Sequence, residues 1–325
     1  MDLDLKKISE PVEKELDEFK SHFREAIRSK VALVDLISKY ILRQKGKKIR
    51  PILVMLSAKL CGDVNNRSFT AATLVEMLHT ATLIHDDVVD DAKTRRGLAS
   101  INAVWKNKIA VLMGDYMLSR GLLLALENDE CGFLKITSRA VKRMSEGELL
   151  QIQKNRKLEV DEQTYFKIIS DKTASLITAC CELGAASTSK DKNEIALLSE
   201  FGENIGIAFQ LRDDVLDYIG KKKIMGKSSG SDLKEKKFTL PLIHSLNNAT
   251  KKEAKEIVSV VKNGTLSKSR SIVMDFIKEH NGIEYTAQKT AEYCSVAKSK
   301  LRNFKPSETK DTMEKFVDFI AGRIS

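Results

Sequence analysis

Proline is scarce in this sequence: 4 residues in 325, where average usage would give roughly 16. Aromatic residues are thin at 6%, with a single Trp, while Leu, Ala, Ile, Lys and Glu dominate. That mixture favours helices and speaks against a strand-rich sandwich or barrel. The five cysteines (Cys61, Cys131, Cys180, Cys181, Cys294) are odd in number and none forms a CxxC pair. Neither a disulfide framework nor a cysteine metal site is therefore expected. No secretory leader is evident at the N-terminus, so the expectation is a cytoplasmic protein with reduced thiols. No uninterrupted run of about 18 apolar residues occurs, and no transmembrane segment is expected.

What is present is a helical pattern running almost from end to end. Hydrophobic residues make up 42% of the chain, enough for a large core and too many for a disordered protein. Ile27, Val31, Val34, Ile37, Tyr40 and Ile41 follow a 3–4 spacing. Pro51 sits where a helix can begin, and Gly62 where it can stop. Two long, mostly apolar runs, from about Ser68 to Asp91 and from Glu194 to Tyr218, read as central helices, because a helix apolar on most faces must be enclosed. Breaks are expected at Gly62-Asp63, Arg96-Gly97, the Gly132 region and Ser187 to Lys192, with a lysine-rich irregular stretch from Gly220 to Lys237. The expected architecture is all-α: a single domain over residues 1–325, a helical bundle of roughly ten or more helices around a central active-site cavity.

The chemistry concentrates in two segments, Asp86-Asp87-Val88-Val89-Asp90 and Asp213-Asp214-Val215-Leu216-Asp217. On a helix, positions i, i+1 and i+4 lie within about 100° of one another, so each trio projects from one side. A solvated acidic face is the ordinary explanation of one such motif. Chance would give the pattern roughly 0.09 times per chain, and both copies have apolar flanks. Carboxylates gathered inside a bundle need counter-charge, which a hard divalent cation supplies. Without His or Cys at ligand spacing, Mg²⁺ fits better than Zn²⁺.

The basic residues follow the acidic ones. The chain carries 55 Lys and Arg against 45 Asp and Glu, a net charge of +10. Arg95-Arg96 comes directly after the first trio, and Lys45, Lys47, Lys48 and Arg50 crowd the loop before Pro51. Lys172-Thr173 interrupts a helical run, and Lys227 and Lys237 follow the second trio. Arg forks and Lys point charges suit a phosphorylated ligand. A nucleic-acid partner is not expected, because enclosed aspartates would face a polyanion. His79 and His85 beside aspartates also suggest a metal phosphohydrolase, but that leaves the second trio unexplained. His85 reads as a packed or hydrogen-bonded helix residue.

Taken together, Gly46-Lys47-Lys48-Ile49-Arg50-Pro51, His79, both aspartate motifs, Arg95-Arg96-Gly97, Gly114-Asp115, Lys172-Thr173, Gln210, Gly226-Lys227 and the string Phe238 to Leu242 resemble the trans-isoprenyl diphosphate synthases of the polyprenyl synthetase family. The resemblance spans nearly the whole chain and is strongest to long-chain octaprenyl- and heptaprenyl-type synthases. One departure stands out: Lys45 takes the place of a glycine usual before the loop lysine.

The resemblance implies a Mg²⁺-dependent prenyltransferase of the isoprenoid synthase fold, acting as a homodimer. It implies an allylic diphosphate of farnesyl or geranyl type held through metal by Asp86, Asp87, Asp90, Asp213, Asp214 and Asp217. Arg95, Lys172, Lys227 and Lys237 would hold its phosphates, the last lysine pair as a lid. Isopentenyl diphosphate would be held by Lys47, Arg50, His79 and Arg96. Lys172, Thr173 and Gln210 would stabilise the charge that develops when the C–O bond breaks. Ala81 and Thr82, five and four residues before Asp86, would set chain length. Both are small, so growth to about seven to ten isoprene units is expected, in a tunnel with Leu78, Met113, Met117, Val141 and Met144 as candidate lining. Such a product would serve a quinone side chain, and being lipid-like it adds peripheral membrane contact to the expected partners. The alternatives are a farnesyl or geranylgeranyl synthase and a non-catalytic synthase subunit.

Overall fold

The computed structural model describes residues 2–44, 46, 48–157, 161–219, 237–263 and 266–322. Nearly all of these are helical, as the scarcity of Pro and aromatics led us to expect. Among the described residues the strand pairing is one two-residue hairpin. The chain forms two compact units. The first comprises Met1–Arg139, Ala179–Ser199 and Phe304–Met313; the second comprises Ala140–Thr178, Glu200–Asn303 and Glu314–Ser325.

The first unit contains α1 (Asp2–Ser9), α2 (Glu13–Ala26), α3 (Ala32–Arg43), α4 (Ile49–Cys61), α5 (Asn66–Val89), α6 (Ile101–Glu127) and the start of α7 (Cys131–Lys157). Helix α5 is its spine. It starts at a capping box in which the Asn65 side chain accepts from the Arg67 amide at 2.9 Å and Ser68 Oγ accepts from the Asn65 amide at 3.3 Å. Beyond the cap, Ala71, Ala72, Leu74, Val75 and Met77 are fully enclosed, so the helix is central, as its apolar run implied. Helix α6 lies along it. His85 packs against Gly114, where a Cβ would stand 2.2 Å from His85 Nε2, and His85 Nε2 lies 3.2 Å from the Val111 carbonyl. His85 is thus a packed, hydrogen-bonded helix residue, as expected. By length and composition alone α6 could cross a membrane. A third of its most apolar stretch is buried in the protein, and Asp115 and Arg120 interrupt it.

Between α5 and α6 runs the hairpin of β1 (Thr94–Arg95) and β2 (Leu98–Ala99). Its two connecting residues, Arg96 and Gly97, have φ of 51° and 81°, the positive values a tight type I′ connection requires. The break expected near Gly132 falls slightly earlier. Asp129, at φ 58°, makes the turn, and Gly132 lies inside α7.

The second unit holds the rest of α7, α8 (Glu162–Ile169), a single π-helical turn (Ser170–Ala174) and the start of α9 (Ser175–Thr188). It also holds most of α10 (Lys192–Ile219), then α11 (Leu240–Asn248), α12 (Lys251–Asn263), α13 (Leu266–Glu279), α14 (Gly282–Leu301) and the end of α15 (Glu308–Ala321). The Phe238 to Leu242 string is core here. Phe238, Leu240 and Leu242 are buried, each contributing about 1.5–3 kcal/mol relative to exposure. Thr239 Oγ1 donates to the Tyr218 hydroxyl at 3.0 Å.

Candidate active site

In the first unit, α2, α3, α5 and the hairpin surround a cavity with a basic end. Arg95, Arg96, Lys48, Glu76 and Asp87 line it. Behind Arg96, which lines the cavity, stands the buried His79. Arg50 NH1 donates to His79 Nε2 at 2.8 Å, and Arg96 NH2 approaches the same nitrogen at 3.2 Å. A ring nitrogen that accepts from guanidinium cannot carry a proton, so the imidazole is the neutral Nδ1–H form. Burial, then Arg50, then Arg96 push its pKa well below the ordinary histidine value. His79 therefore fixes the two guanidiniums side by side, the arrangement an anion with several oxygens needs. Gly46 lies against Arg96: a Cβ there would stand 2.8 Å from NH1, so only glycine leaves the guanidinium its place. Burial, with Lys20 nearby, lowers the pKa of Lys48.

Sequence reasoning passed over Glu76. It sits one turn before His79, lines the same cavity, and burial raises its pKa against the opposing pull of Arg50, Arg96 and Lys48. The available signal was its isolation, since it is the one charged residue from Ser68 to Thr82.

The first aspartate trio occupies the C-terminal end of α5. Asp86 and Asp90 are exposed there, while Asp87 is 4% exposed. Asp87 Oδ1 accepts from Arg95 Nε at 2.8 Å and also from Arg95 NH2, and the Asp87 carbonyl accepts from Asn102 at 3.1 Å. The trio thus splits. The 100° step from i to i+1 turns Asp87 inward to an arginine and leaves Asp86 and Asp90 on the open face.

The second trio lies in the last turns of α10, so both sit at the negative end of a helix dipole, where carboxylates are unfavourable. Among the described residues no cluster of three acidic, His or Cys side chains closes on one point. The donors on the open face of α5 are two carboxylates, Asp86 and Asp90, hard oxygen ligands of the kind Mg²⁺ takes beside waters and a substrate phosphate.

In the second unit, Lys172, Thr173, Gln210, Asp213, Asp214 and Lys237 line one cleft, together with Tyr165 and Gln151. Lys172 and Thr173 stand on the π turn, the interruption their sequence suggested. Two helices close on that turn: a Cβ on Gly147 of α7 would be 2.9 Å from the Lys172 amide nitrogen, and one on Gly206 of α10 would be 2.6 Å from Ala174 Cα. Arg143 anchors it further, donating to Asp171 at 2.8 Å, to Glu203 at 2.9 and 3.0 Å and to Ser170 Oγ at 2.7 Å. These partners raise the Arg143 pKa.

Lys172 Nζ donates to Gln151 at 2.7 Å and pairs with Glu148. Thr173 Oγ1 donates to Gln210 Oε1 at 3.0 Å, and Gln210 Nε2 donates to Asp214 Oδ1 at 2.7 Å. Asp214 Oδ2 accepts from the Tyr165 hydroxyl at 2.6 Å. Asp217 is 1% exposed and does not line the cleft.

The structure therefore brings Arg50, His79, Arg95, Arg96 and Asp87 together in one unit, and Lys172, Thr173, Gln210, Asp213, Asp214 and Lys237 in the other. Lys45, Lys47 and Lys227 lie outside the described residues. Ala81 is fully buried, and the Thr82 hydroxyl is tied to the His79 carbonyl at 3.0 Å. Leu78, Met113 and Met117 are buried, while Val141 and Met144 are half-buried. Besides Glu76, the sequence did not reveal Arg143, Glu148, Gln151 or Tyr165, whose parts depend on partners distant in the chain.

Comparison with known proteins points the same way. A family model described as polyprenyl synthetase matches residues 31–280. The octaprenyl diphosphate synthase of Escherichia coli (strain K12) is 33% identical over 290 residues, covering 89% of this chain and 90% of that protein. The all-trans-nonaprenyl-diphosphate synthase (geranyl-diphosphate specific) of Rhodobacter capsulatus is 36% identical over 296 residues, 90% of each. A crystal structure of a polyprenyl synthase from Caulobacter crescentus CB15, complexed with calcium and isoprenyl diphosphate, matches with a TM-score of 0.90 at 30% identity, covering 99% of this chain and 98% of that one.

Proposed function

Because this chain belongs to the polyprenyl synthetase family, we propose that it is an all-trans polyprenyl diphosphate synthase. It adds isopentenyl diphosphate repeatedly, head to tail, to an allylic diphosphate of farnesyl or geranyl type. The observation that carries this reading is the neutral His79 that holds the guanidiniums of Arg50 and Arg96 side by side, with Arg96 lining the cavity. With Lys47, these seat the diphosphate of isopentenyl diphosphate without metal.

The carboxylates offered to Mg²⁺ are Asp86 and Asp90 in the first unit, both exposed, and, in the second unit, Asp213, which lines the cleft; Asp217, buried and off the cleft, is not among them. When bound, Mg²⁺ makes the allylic diphosphate a better leaving group. Arg95, fixed by Asp87, and Lys172, Lys227 and Lys237 supply further positive charge for that diphosphate. The C–O bond breaks with its electron pair leaving on diphosphate. Thr173 and Gln210 turn oxygen atoms toward the developing allylic cation, worth most where water is excluded. The double bond of isopentenyl diphosphate forms the new C–C bond. A proton is then lost from the adjacent carbon to the departing diphosphate, so no protein base is needed.

Chain length follows from small side chains at Ala81 and Thr82, and the named products of the E. coli and R. capsulatus relatives support a long one, about seven to ten units. Two identical chains are proposed to pair through the exposed apolar residues of α6, Val111, Leu112, Leu122, Leu123 and Leu126, which sedimentation velocity would register as twice the monomer mass. A cytoplasmic location is proposed with it, where the five thiols would stay reduced. The reading is tested by incorporation of labelled isopentenyl diphosphate in Mg²⁺: it falls at least about 10³-fold in Asp86→Ala and Asp213→Ala. Unchanged incorporation in either variant sinks the assignment.

A further inference from the structure

The second unit contains a hydrogen-bonded chain that reaches the cleft from the core: Tyr165 hydroxyl, Asp214, Gln210, Thr173. We propose that Tyr165 and Asp214 are positioning residues, which lock the Gln210 amide so that oxygen rather than N–H faces the reacting carbon. The proposal rests on the prenyl-transfer reading and deepens it.

Hydrogen-bond sign decides which way the amide turns. A carboxylate can only accept. Asp214 Oδ1 lies 2.7 Å from the Gln210 amide, so the nitrogen must be the end that meets it. A flipped amide would press two oxygens together at that distance. With nitrogen fixed on Asp214, Gln210 Oε1 points at Thr173 and accepts its hydroxyl proton at 3.0 Å. The threonine oxygen then presents lone pairs outward, and both groups offer negative ends to the cleft they line. In the flipped state the amide would donate to Thr173, whose own proton would turn outward and oppose a cation. The orientation of one amide thus sets the sign of the local field, and fixed dipoles of the right sign act without reorganisation during the reaction.

Asp214 is itself held. Its second oxygen accepts from the Tyr165 hydroxyl at 2.6 Å, and Asp214 and Tyr165 are 2% and 4% exposed. The tyrosine ring packs edge-on against Phe166, with centroids 5.6 Å apart, so Tyr165→Phe deletes one hydroxyl and leaves the packing. The assignment also gives Asp214 a task other than metal binding.

The experiment compares wild type with Tyr165→Phe, Asp214→Asn, Gln210→Glu and the double variant Asp214→Asn/Gln210→Glu. Steady-state turnover is measured with farnesyl diphosphate and isopentenyl diphosphate, and Mg²⁺ affinity by calorimetry with inorganic pyrophosphate. Tyr165→Phe is expected to lower kcat about tenfold, with both KM values and Mg²⁺ affinity within about twofold of wild type. Asp214→Asn is expected to lower kcat about 100-fold. The double variant recovers at least tenfold of that loss, because a glutamate presents oxygen whichever way it turns while the new amide at position 214 supplies the donor. Unaltered turnover in Tyr165→Phe overturns the proposal. So does an Asp214→Asn defect that appears as weakened Mg²⁺ binding and is not recovered by Gln210→Glu.

A readout independent of turnover separates this proposal from the activity reading. The Gln210 side-chain NH₂, assigned in ¹⁵N spectra by its loss in Gln210→Glu, should exchange at least tenfold faster in Tyr165→Phe than in wild type. Equal exchange contradicts the positioning role even if wild-type turnover is absent, a result that would sink the prenyl-transfer reading by itself.

Discussion

His79 is a base that the fold keeps from acting as one. Burial and two guanidiniums hold its pKa well below the ordinary value, which has a consequence for stability. As pH falls through about 6.5, the unfolded chain takes up a proton that the folded chain refuses. Stability therefore drops on the acid side of that value and is unaffected above it. Between pH 7 and 5.5 this residue accounts for a loss of about 1 kcal/mol. Urea unfolding of wild type and His79→Gln over that range tests it: the wild type should lose about that much more than the variant, and equal losses contradict a neutral His79. At this scale the sequence was legible in residue type and spacing. The two aspartate trios, Arg95-Arg96 and His79 declared themselves. The role each plays was not legible, because it depends on partners. Asp87 turns to Arg95, Asp214 to Tyr165 and Gln210, and nothing in the aspartate spacing distinguishes those two from Asp86 and Asp213.

At the scale of elements, both aspartate motifs close helices, and both burden them. Acidic groups near the last turn of α5 oppose its dipole and one another. Asp90→Asn, at the exposed C-cap of α5, should therefore stabilise the metal-free protein by about 0.3–1 kcal/mol while lowering turnover. Differential scanning calorimetry in chelator checks it, and a lower melting temperature would mean that Asp90 stabilises the fold. The π turn is the second such element. Lys172-Thr173 was visible as an interruption of a helical run. Its π geometry was not, because the turn is held by Gly147, Gly206 and Arg143, which come from other helices. A methyl group at position 206 would meet Ala174 backbone at 2.6 Å and must displace the turn. Gly206→Ala is thus expected to lower kcat more than about tenfold with little change in KM for isopentenyl diphosphate, and to cost about 1–3 kcal/mol in stability. Steady-state kinetics together with chemical unfolding would reveal a turn free to adapt if neither changes.

For the whole molecule, helical class followed from composition, and the two central helices followed from apolar runs without Pro. The division of the contacts into two units had no signature in the sequence, since neither Pro- or Gly-rich linkers nor a change of composition marks it. Chain length is the property that the molecule as a whole determines. Purified protein, Mg²⁺, farnesyl diphosphate and labelled isopentenyl diphosphate are incubated, the products dephosphorylated, and their lengths resolved by chromatography. Products of about seven to ten units are expected from the wild type, and truncation to a few units in Ala81→Phe, where an aromatic ring would fill the space a methyl group leaves. Wild-type growth that stops at four units or fewer, or no condensation by well-folded protein, would contradict that expectation.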